Sequence, residues 1–134
     1  MTDEITAGNL QELRRGTVVL ACLAALRESS YGYALLDFLG DLGMPVDANT
    51  LYPLLRRLEK QELLTSEWNT EEARPRKFYR TTAAGTSLAQ VLADDWIRLD
   101  GVIRGLTTAQ AQPRRANPRS ANSPSANPRK GDQS

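Results

Sequence analysis

Apolar residues fall at helical spacing over most of the first hundred positions. Residues 10–28 contain no Pro and a single Gly, and Leu13, Val18, Leu20, Ala21, Leu23, Ala24 and Leu26 make the second half apolar nearly all round. That pattern predicts one helix with a buried end. Ser29-Ser30 offers a stop and a new N-cap. A second helix is predicted over 31–42, with Leu35, Leu36, Leu39 and Leu42 on one stripe, and Gly43-Met44-Pro45 ends it. A third spans 47–62, where Leu51, Leu54, Leu55 and Leu58 must face inward and Asn49, Tyr52, Arg56, Arg57 and Lys60 outward. Asp47, Asn49 and Thr50 are the candidate caps. Pro53 is harmless only in a first turn, so the helix is expected to begin near Asn49 or Thr50.

The period then changes. Residues 63–68 read as a short strand, 69–75 as a polar loop of seven, and Arg76-Lys77-Phe78-Tyr79-Arg80-Thr81 as a second strand. From Thr82 the spacing is helical again, and Leu88, Leu92, Trp96, Leu99, Ile103 and Leu106 step by fours and threes like a coiled-coil seam. The order predicts a mainly α fold with a small β-hairpin: a winged helix-turn-helix followed by a long C-terminal helix. The expected organisation is an N-terminal extension over 1–9, the winged helix over 10–81, a dimerisation helix over 82–106, and a tail over 107–134. The tail has no Leu, Ile, Val, Met or aromatic residue and carries four of the seven prolines. Such a segment is expected to stay disordered.

Composition narrows the chemistry. The 134 residues include no His and one Cys, Cys22. A Ser–His–Asp or Cys–His nucleophile system and a Cys/His zinc site are therefore excluded, and so is an internal disulfide. No catalytic residue, metal ligand or cofactor is expected. The longest apolar run, Val18 to Leu26, is nine residues, well below the ~20 that span a bilayer. With no basic, apolar leader in view, the expectation is a cytoplasmic protein without a membrane partner.

The formal net charge of +1 argues little by itself. Five cations against one acid leave the tail at +4, and twelve against fifteen leave 1–106 at −3. Within that acidic body, Arg74, Arg76, Lys77 and Arg80 put four cations in seven residues. In a helix-turn-helix the second helix enters the major groove. Asn can pair with adenine and Arg with guanine, while Thr and Tyr hydroxyls usually hold phosphates. A wing tip bearing Arg74 and Arg76 suits a narrow minor groove. Asn49 and Thr50 read equally well as caps, and the basic residues as a solvated face or a protected edge.

The apolar seam of the last helix has nothing left in the body to cover it, so a homodimer is expected. Trp96 lies on that seam among Asp94, Asp95 and Asp100. It reads either as a core aromatic or as a stacking surface for a flat ligand, with Asp95 or Asp100 favouring a cationic one.

Three blocks then resemble a known family: Tyr31-Gly32-Tyr33-Ala34-Leu35; Asn49-Thr50-Leu51-Tyr52-Pro53-Leu54-Leu55-Arg56-Arg57-Leu58-Glu59-Lys60; and Arg74-Pro75-Arg76-Lys77-Phe78-Tyr79-Arg80 with Thr82-Ala83-Ala84-Gly85. Over about 10–106 the chain is similar to PadR-like transcriptional regulators of the short form. The resemblance implies a winged helix, a homodimer formed through the first and last helices, and repression at inverted-repeat operators in double-stranded DNA. It implies DNA contacts from Asn49, Thr50, Tyr52 and Arg56 and from wing residues Arg76 and Lys77. It further implies release by a small effector, phenolic acids and bulky aromatic drugs being known in the family. Residues 95–100 resemble the drug-binding kind. The alternative is a winged helix used only for protein interaction. Two positions depart from the family pattern. Glu62 stands where Gly serves a left-handed helix end, and Thr81 stands where an apolar residue is common.

Overall fold

The computed structural model describes residues 2–71 and 73–108. Five helices and three strands follow in order: α1 (Asp3–Arg15), α2 (Val18–Ala25), β1 (Ser30–Tyr31), α3 (Gly32–Asp41), α4 (Ala48–Lys60), β2 (Leu64–Asn69), β3 (Arg76–Thr81) and α5 (Ala83–Leu106). The fold is mostly helical with a small antiparallel sheet, as the periodicity predicts. The described residues form two compact units that divide within α5, after Trp96. The tail expectation for 107–134 lies outside the described residues beyond Thr108.

The single helix expected over 10–28 is two. The Thr2 hydroxyl accepts from the Ile5 N–H at 3.2 Å, and Asp3 and Glu4 occupy the first turn, so α1 starts inside the expected extension. It ends where the Thr17 hydroxyl donates to the Arg14 carbonyl at 2.7 Å. No residue of α1 is buried. α2 carries the core instead, with Val18, Cys22 and Leu23 buried and Leu26 just beyond.

Ser29-Ser30 is not a cap. Ser30 pairs with Tyr79 and Tyr31 with Phe78, adding a third strand to the hairpin in the order β1-β3-β2. Tyr31 then precedes α3 with no side-chain cap bond. On α3, Leu35 and Leu39 are buried, whereas Leu42, expected on the same stripe, is exposed. Leu42 lies past the helix end, where Gly43 at φ 96 turns the chain and the Met44 N–H reaches back to the Leu39 carbonyl at 2.8 Å.

α4 begins earlier than expected. Asp47 is the cap, its carboxylate accepting from the Asn49 N–H at 3.2 Å. Pro53 therefore lies in the second turn, where its ring cannot supply the usual hydrogen bond to the Asn49 carbonyl. Leu51, Leu55 and Leu58 are fully buried and give the helix its one-sided character. α4 ends as α3 does: the Leu63 N–H donates to the Leu58 carbonyl at 2.9 Å, with Glu62 at φ 64 in the place Gly43 fills. The chain keeps the left-handed helix end despite the missing glycine.

β2 and β3 pair from Leu64↔Thr81 to Asn69↔Arg76, which leaves a connection of residues 70–75, one shorter than predicted. Thr81 does not simply weaken the core. Its hydroxyl donates to the Leu23 carbonyl at 2.7 Å and its N–H to the Leu26 carbonyl at 2.8 Å, so β3 caps the end of α2.

The start of α5 is locked to the end of α4. The Thr82 hydroxyl donates to the Glu62 carbonyl at 2.8 Å and accepts from the Gly85 N–H at 3.0 Å, and the Thr82 N–H donates to the Leu63 carbonyl at 3.0 Å. Gly85 and Ala89 are buried, and Leu88 and Leu92 pack against the core. Farther along, Trp96, Leu99, Ile103 and Leu106 are exposed. Among the described residues no helix is long and apolar enough to cross a membrane.

Candidate nucleic-acid interface

Burying Leu51, Leu55 and Leu58 forces the opposite face of α4 outward. Asn49, Thr50, Arg56, Arg57 and Lys60 are all exposed there. Tyr52 is different. It is half-buried, and its ring lies so close to Gly32 that a Cβ on that residue would meet it at 2.5 Å. Gly32 thus lets the first turn of α3 seat against Tyr52, which fixes the two helices of the motif together.

The wing brings Lys77 to the same side. Arg56, Arg57 and Lys60 of α4 and Lys77 of β3 line one open groove of about 710 Å³ with Glu59. Arg74 is exposed in the connection between β2 and β3. Four cations around one carboxylate make this groove suited to an anionic backbone.

Arg76 and Lys77 are not free side chains. The Arg76 guanidinium donates to the Tyr33 hydroxyl and lies 5.1 Å from the Tyr33 ring centre and 5.8 Å from that of Tyr31. Those two rings stack at 5.7 Å and 10°, Phe78 meets Tyr31 edge-on, and the Asn69 amide donates to the Tyr31 hydroxyl at 2.7 Å. Arg76 therefore caps an aromatic column that ties the wing to the start of α3. Lys77 pairs with Glu59 at 3.2 Å and sits 5.5 Å from the Tyr79 ring centre. The other oxygen of Glu59 accepts from the Ser66 hydroxyl at 2.5 Å. That hydrogen bond first, and Lys77 with it, holds the Glu59 carboxyl below the ordinary carboxylate range against the opposing effect of partial burial.

Sequence reasoning missed Tyr31, Tyr33, Glu59 and Ser66 as parts of this site. Glu59 and Lys77 meet only because β3 folds back along α4, and no local spacing signals that. The Tyr-Gly-Tyr run at the start of α3 is the one visible cue.

The expected effector residues divide between the two units. Trp96, with Asp95, ends the first and is 48% exposed rather than a core aromatic. Asp100, in the second, already accepts from Arg104 at 2.9 Å, which reduces its pull on a cationic ligand. Among the described residues no cluster of His, Cys, Asp and Glu could hold a metal ion.

Known proteins resemble this chain in sequence and fold. The profile of the transcriptional regulator PadR-like family matches residues 19–91. The transcriptional regulator Rv3488 of Mycobacterium tuberculosis is 33% identical over 103 residues, covering 76% of this chain and 94% of that protein. A PadR family transcriptional regulator from Eggerthella lenta is similar in structure, with a TM-score of 0.73 and 50% identity over 79% of this chain and 96% of that one. A transcriptional regulator from Clostridium thermocellum matches with a TM-score of 0.66 and 28% identity over 72% of this chain and 99% of that one. The matched residues run from α2 through the wing into α5, and the chain belongs to the PadR-like family of DNA-binding transcriptional regulators.

Proposed function

We propose that this regulator represses transcription by binding an inverted-repeat operator as a homodimer, with a small aromatic effector releasing it. The observation that carries the reading is the groove in which Arg56, Arg57 and Lys60 of α4 meet Lys77 of the wing. α4 enters the major groove, where Asn49 and Arg56 reach base edges and Thr50, Tyr52, Arg57 and Lys60 hold phosphates. The wing, through Arg74, Arg76 and Lys77, follows the adjacent minor groove.

The dimer reading is supported by the apolar residues left open on α1 and α5. Leu13 is 73% exposed, and Trp96, Leu99, Ile103 and Leu106 are each about half exposed. A second copy covers such a seam from Trp96 onward, whereas Leu88 and Leu92, expected on the same stripe, pack against the chain's own core. The two copies of α4 must then sit about one DNA turn apart, ~34 Å. The bonds from Thr82 to Glu62 and Leu63 tie the start of α5 to the end of α4, so a change in how α5 packs reaches the recognition helix. An effector stacked on Trp96 beside Asp95 acts by that route, to the extent that it binds one dimer geometry better than the other. The protein is a binder that catalyses nothing, and it works in the cytoplasm.

Replacing Arg76 and Lys77 together by Ala weakens operator binding and leaves the oligomeric state unchanged in this reading. Unchanged affinity removes the wing from the mechanism. The competing reading, a winged helix for protein interaction alone, draws on the Glu59–Lys77 pair and the Arg76–Tyr33 bond, which employ the wing cations within the chain. It predicts no binding to duplex DNA at low salt.

A further inference from the structure

Trp68 stands on β2, an outer strand of the sheet, and is 62% exposed. A single exposed apolar residue is ordinary on a protein surface, so exposure alone assigns it nothing. Its position does. Side chains on one face of a strand recur every second residue, which puts Leu64, Ser66 and Trp68 in one row. In the β2–β3 register Ser66 stands opposite Tyr79 and Trp68 opposite Lys77. Ser66 and Lys77 both reach Glu59 of α4, so this is the face turned toward the recognition helix. Along the row Leu64 is buried, Ser66 half-buried and Trp68 open. The indole therefore marks the point at which the row leaves the core and enters the cleft between α4 and the wing.

Two hollows meet at Lys77. One is the cationic groove shared with Arg56, Arg57 and Lys60. The other, of about 230 Å³, has Trp68, Tyr33, Tyr52 and Arg76 in its lining. The Lys77 ammonium lies 6.0 Å from the centre of the Trp68 ring, so a cation and a broad apolar surface stand side by side. A DNA strand carries the same alternation, each anionic phosphate being followed by a deoxyribose that presents mostly C–H groups. A phosphate held at Lys77 brings the attached sugar against the indole. A free anion would use the cation and leave the indole wet.

We propose that Trp68 is a DNA-contact residue of the wing, its ring packed on a deoxyribose of the strand that runs between α4 and the wing. This rests on the DNA-binding reading above and adds to it an apolar contact that reads no base. The indole sets how deep the strand sits in the cleft and keeps water from the sugar beside Lys77. Because the indole carries no charge, it displaces no counterion, and its contribution is the same at low and high salt. Lys77 beside it behaves oppositely, since each phosphate it neutralises releases counterions.

The test is fluorescence anisotropy with a palindromic promoter fragment at ~50 and ~200 mM salt, on the full chain and on Trp68→Ala, Trp68→Phe and Lys77→Ala. Trp68→Ala should weaken binding about tenfold, the order expected for uncovering half an indole, and by the same factor at both salts. Lys77→Ala should instead lower the salt slope by about one phosphate per copy. Trp68→Phe, which keeps an apolar ring, should recover most of the lost affinity. A second readout needs no truncation of the ring. The operator should shield tryptophan from acrylamide quenching in the parent chain, and the shielding should be absent from Trp68→Phe, where Trp96 alone remains. Full affinity in Trp68→Ala, a loss accompanied by a changed salt slope, or shielding that persists in Trp68→Phe each overturn the contact. If Arg56→Ala weakens binding and Trp68→Ala does not, only the Trp68 contact falls. If the parent chain binds no duplex at ~50 mM salt, the DNA-binding reading falls and the contact with it.

Discussion

Adding one methyl group at Gly85 tests the junction between the recognition helix and α5. A Cβ at Gly85 would stand 2.2 Å from the Leu63 carbonyl oxygen and 2.6 Å from Cγ2 of Thr81. The oxygen cannot yield easily, because it accepts from the Thr82 N–H at 3.0 Å and sits between the end of α4 and β2. Relief to an ordinary contact needs a shift of about 1 Å, enough to spoil that bond and the Gly85–Thr82 bond. Overpacking of this kind costs about 1–3 kcal/mol, and contact with backbone puts Gly85→Ala at the upper end. The helix-propensity gain of Ala over Gly, about 1 kcal/mol, offsets part. The net expectation is a loss of about 2 kcal/mol, or on the order of 10 °C in Tm for a domain of this size. Gly40, also helical, has nothing within 4 Å of its would-be Cβ, so Gly40→Ala keeps the propensity gain and should stabilise. Thermal unfolding of both variants at equal protomer concentration decides the matter. If Gly85→Ala is as stable as Gly40→Ala, the tight seating of α5 on Leu63 is wrong.

Glu62→Gly should raise stability by up to about 1 kcal/mol in denaturant titration, since it relieves a left-handed non-glycine residue, and a decrease would contradict the strain at φ 64. Burial pushes the Cys22 thiol up to about 12, so thiol reagents at pH 8 should label it only after unfolding. The sign follows from the raised value: the stabilisation is complete below the unfolded thiol's pKa of about 8.5 and is lost as pH climbs from there toward the folded value. Glu59 is the opposite case. Its depressed carboxyl stabilises the fold above the unfolded pKa of about 4.3 and loses that contribution as pH falls, so Glu59→Gln should flatten the acid limb of the stability curve. Glu59→Gln also releases Lys77, and operator binding should tighten with a salt slope steeper by about one phosphate.

The sequence pattern resolves those elements whose burial repeats locally. β3 matches its expected bounds because Phe78, Tyr79 and Thr81 give Arg76–Thr81 aromatic and β-branched content directly after Pro75. The four leucines of α4 predict its inward face, three of them buried and Leu54 half-buried against the core, and hence which cations point outward. β1 escaped notice because two residues are too few to show a period; Ser30 and Tyr31 are extended only because Phe78 and Tyr79 are there to pair with them. The break at Gly16-Thr17 was hidden by good helix formers on both sides. The start of α1 was signalled by Thr2 followed by Asp3 and Glu4, a cap and first turn that look like a plain polar terminus when no apolar stripe follows. Pro53 misled about the start of α4, since the helix tolerates it in the second turn. The partners of Arg76 and Lys77 depend on tertiary contacts across 43 and 18 positions of sequence, beyond any local reading.

The central claim is that α4 and the wing together form a DNA-binding surface. The most direct measurement is fluorescence anisotropy with a palindromic promoter fragment at ~50 and ~200 mM salt. Four cations per copy in the α4–wing groove correspond to about six to eight phosphates per dimer, so affinity should fall by about 10³ or more between the two conditions. Arg56→Ala should weaken binding in both. No binding at the lower salt, or an affinity indifferent to salt and to Arg56, would contradict the account.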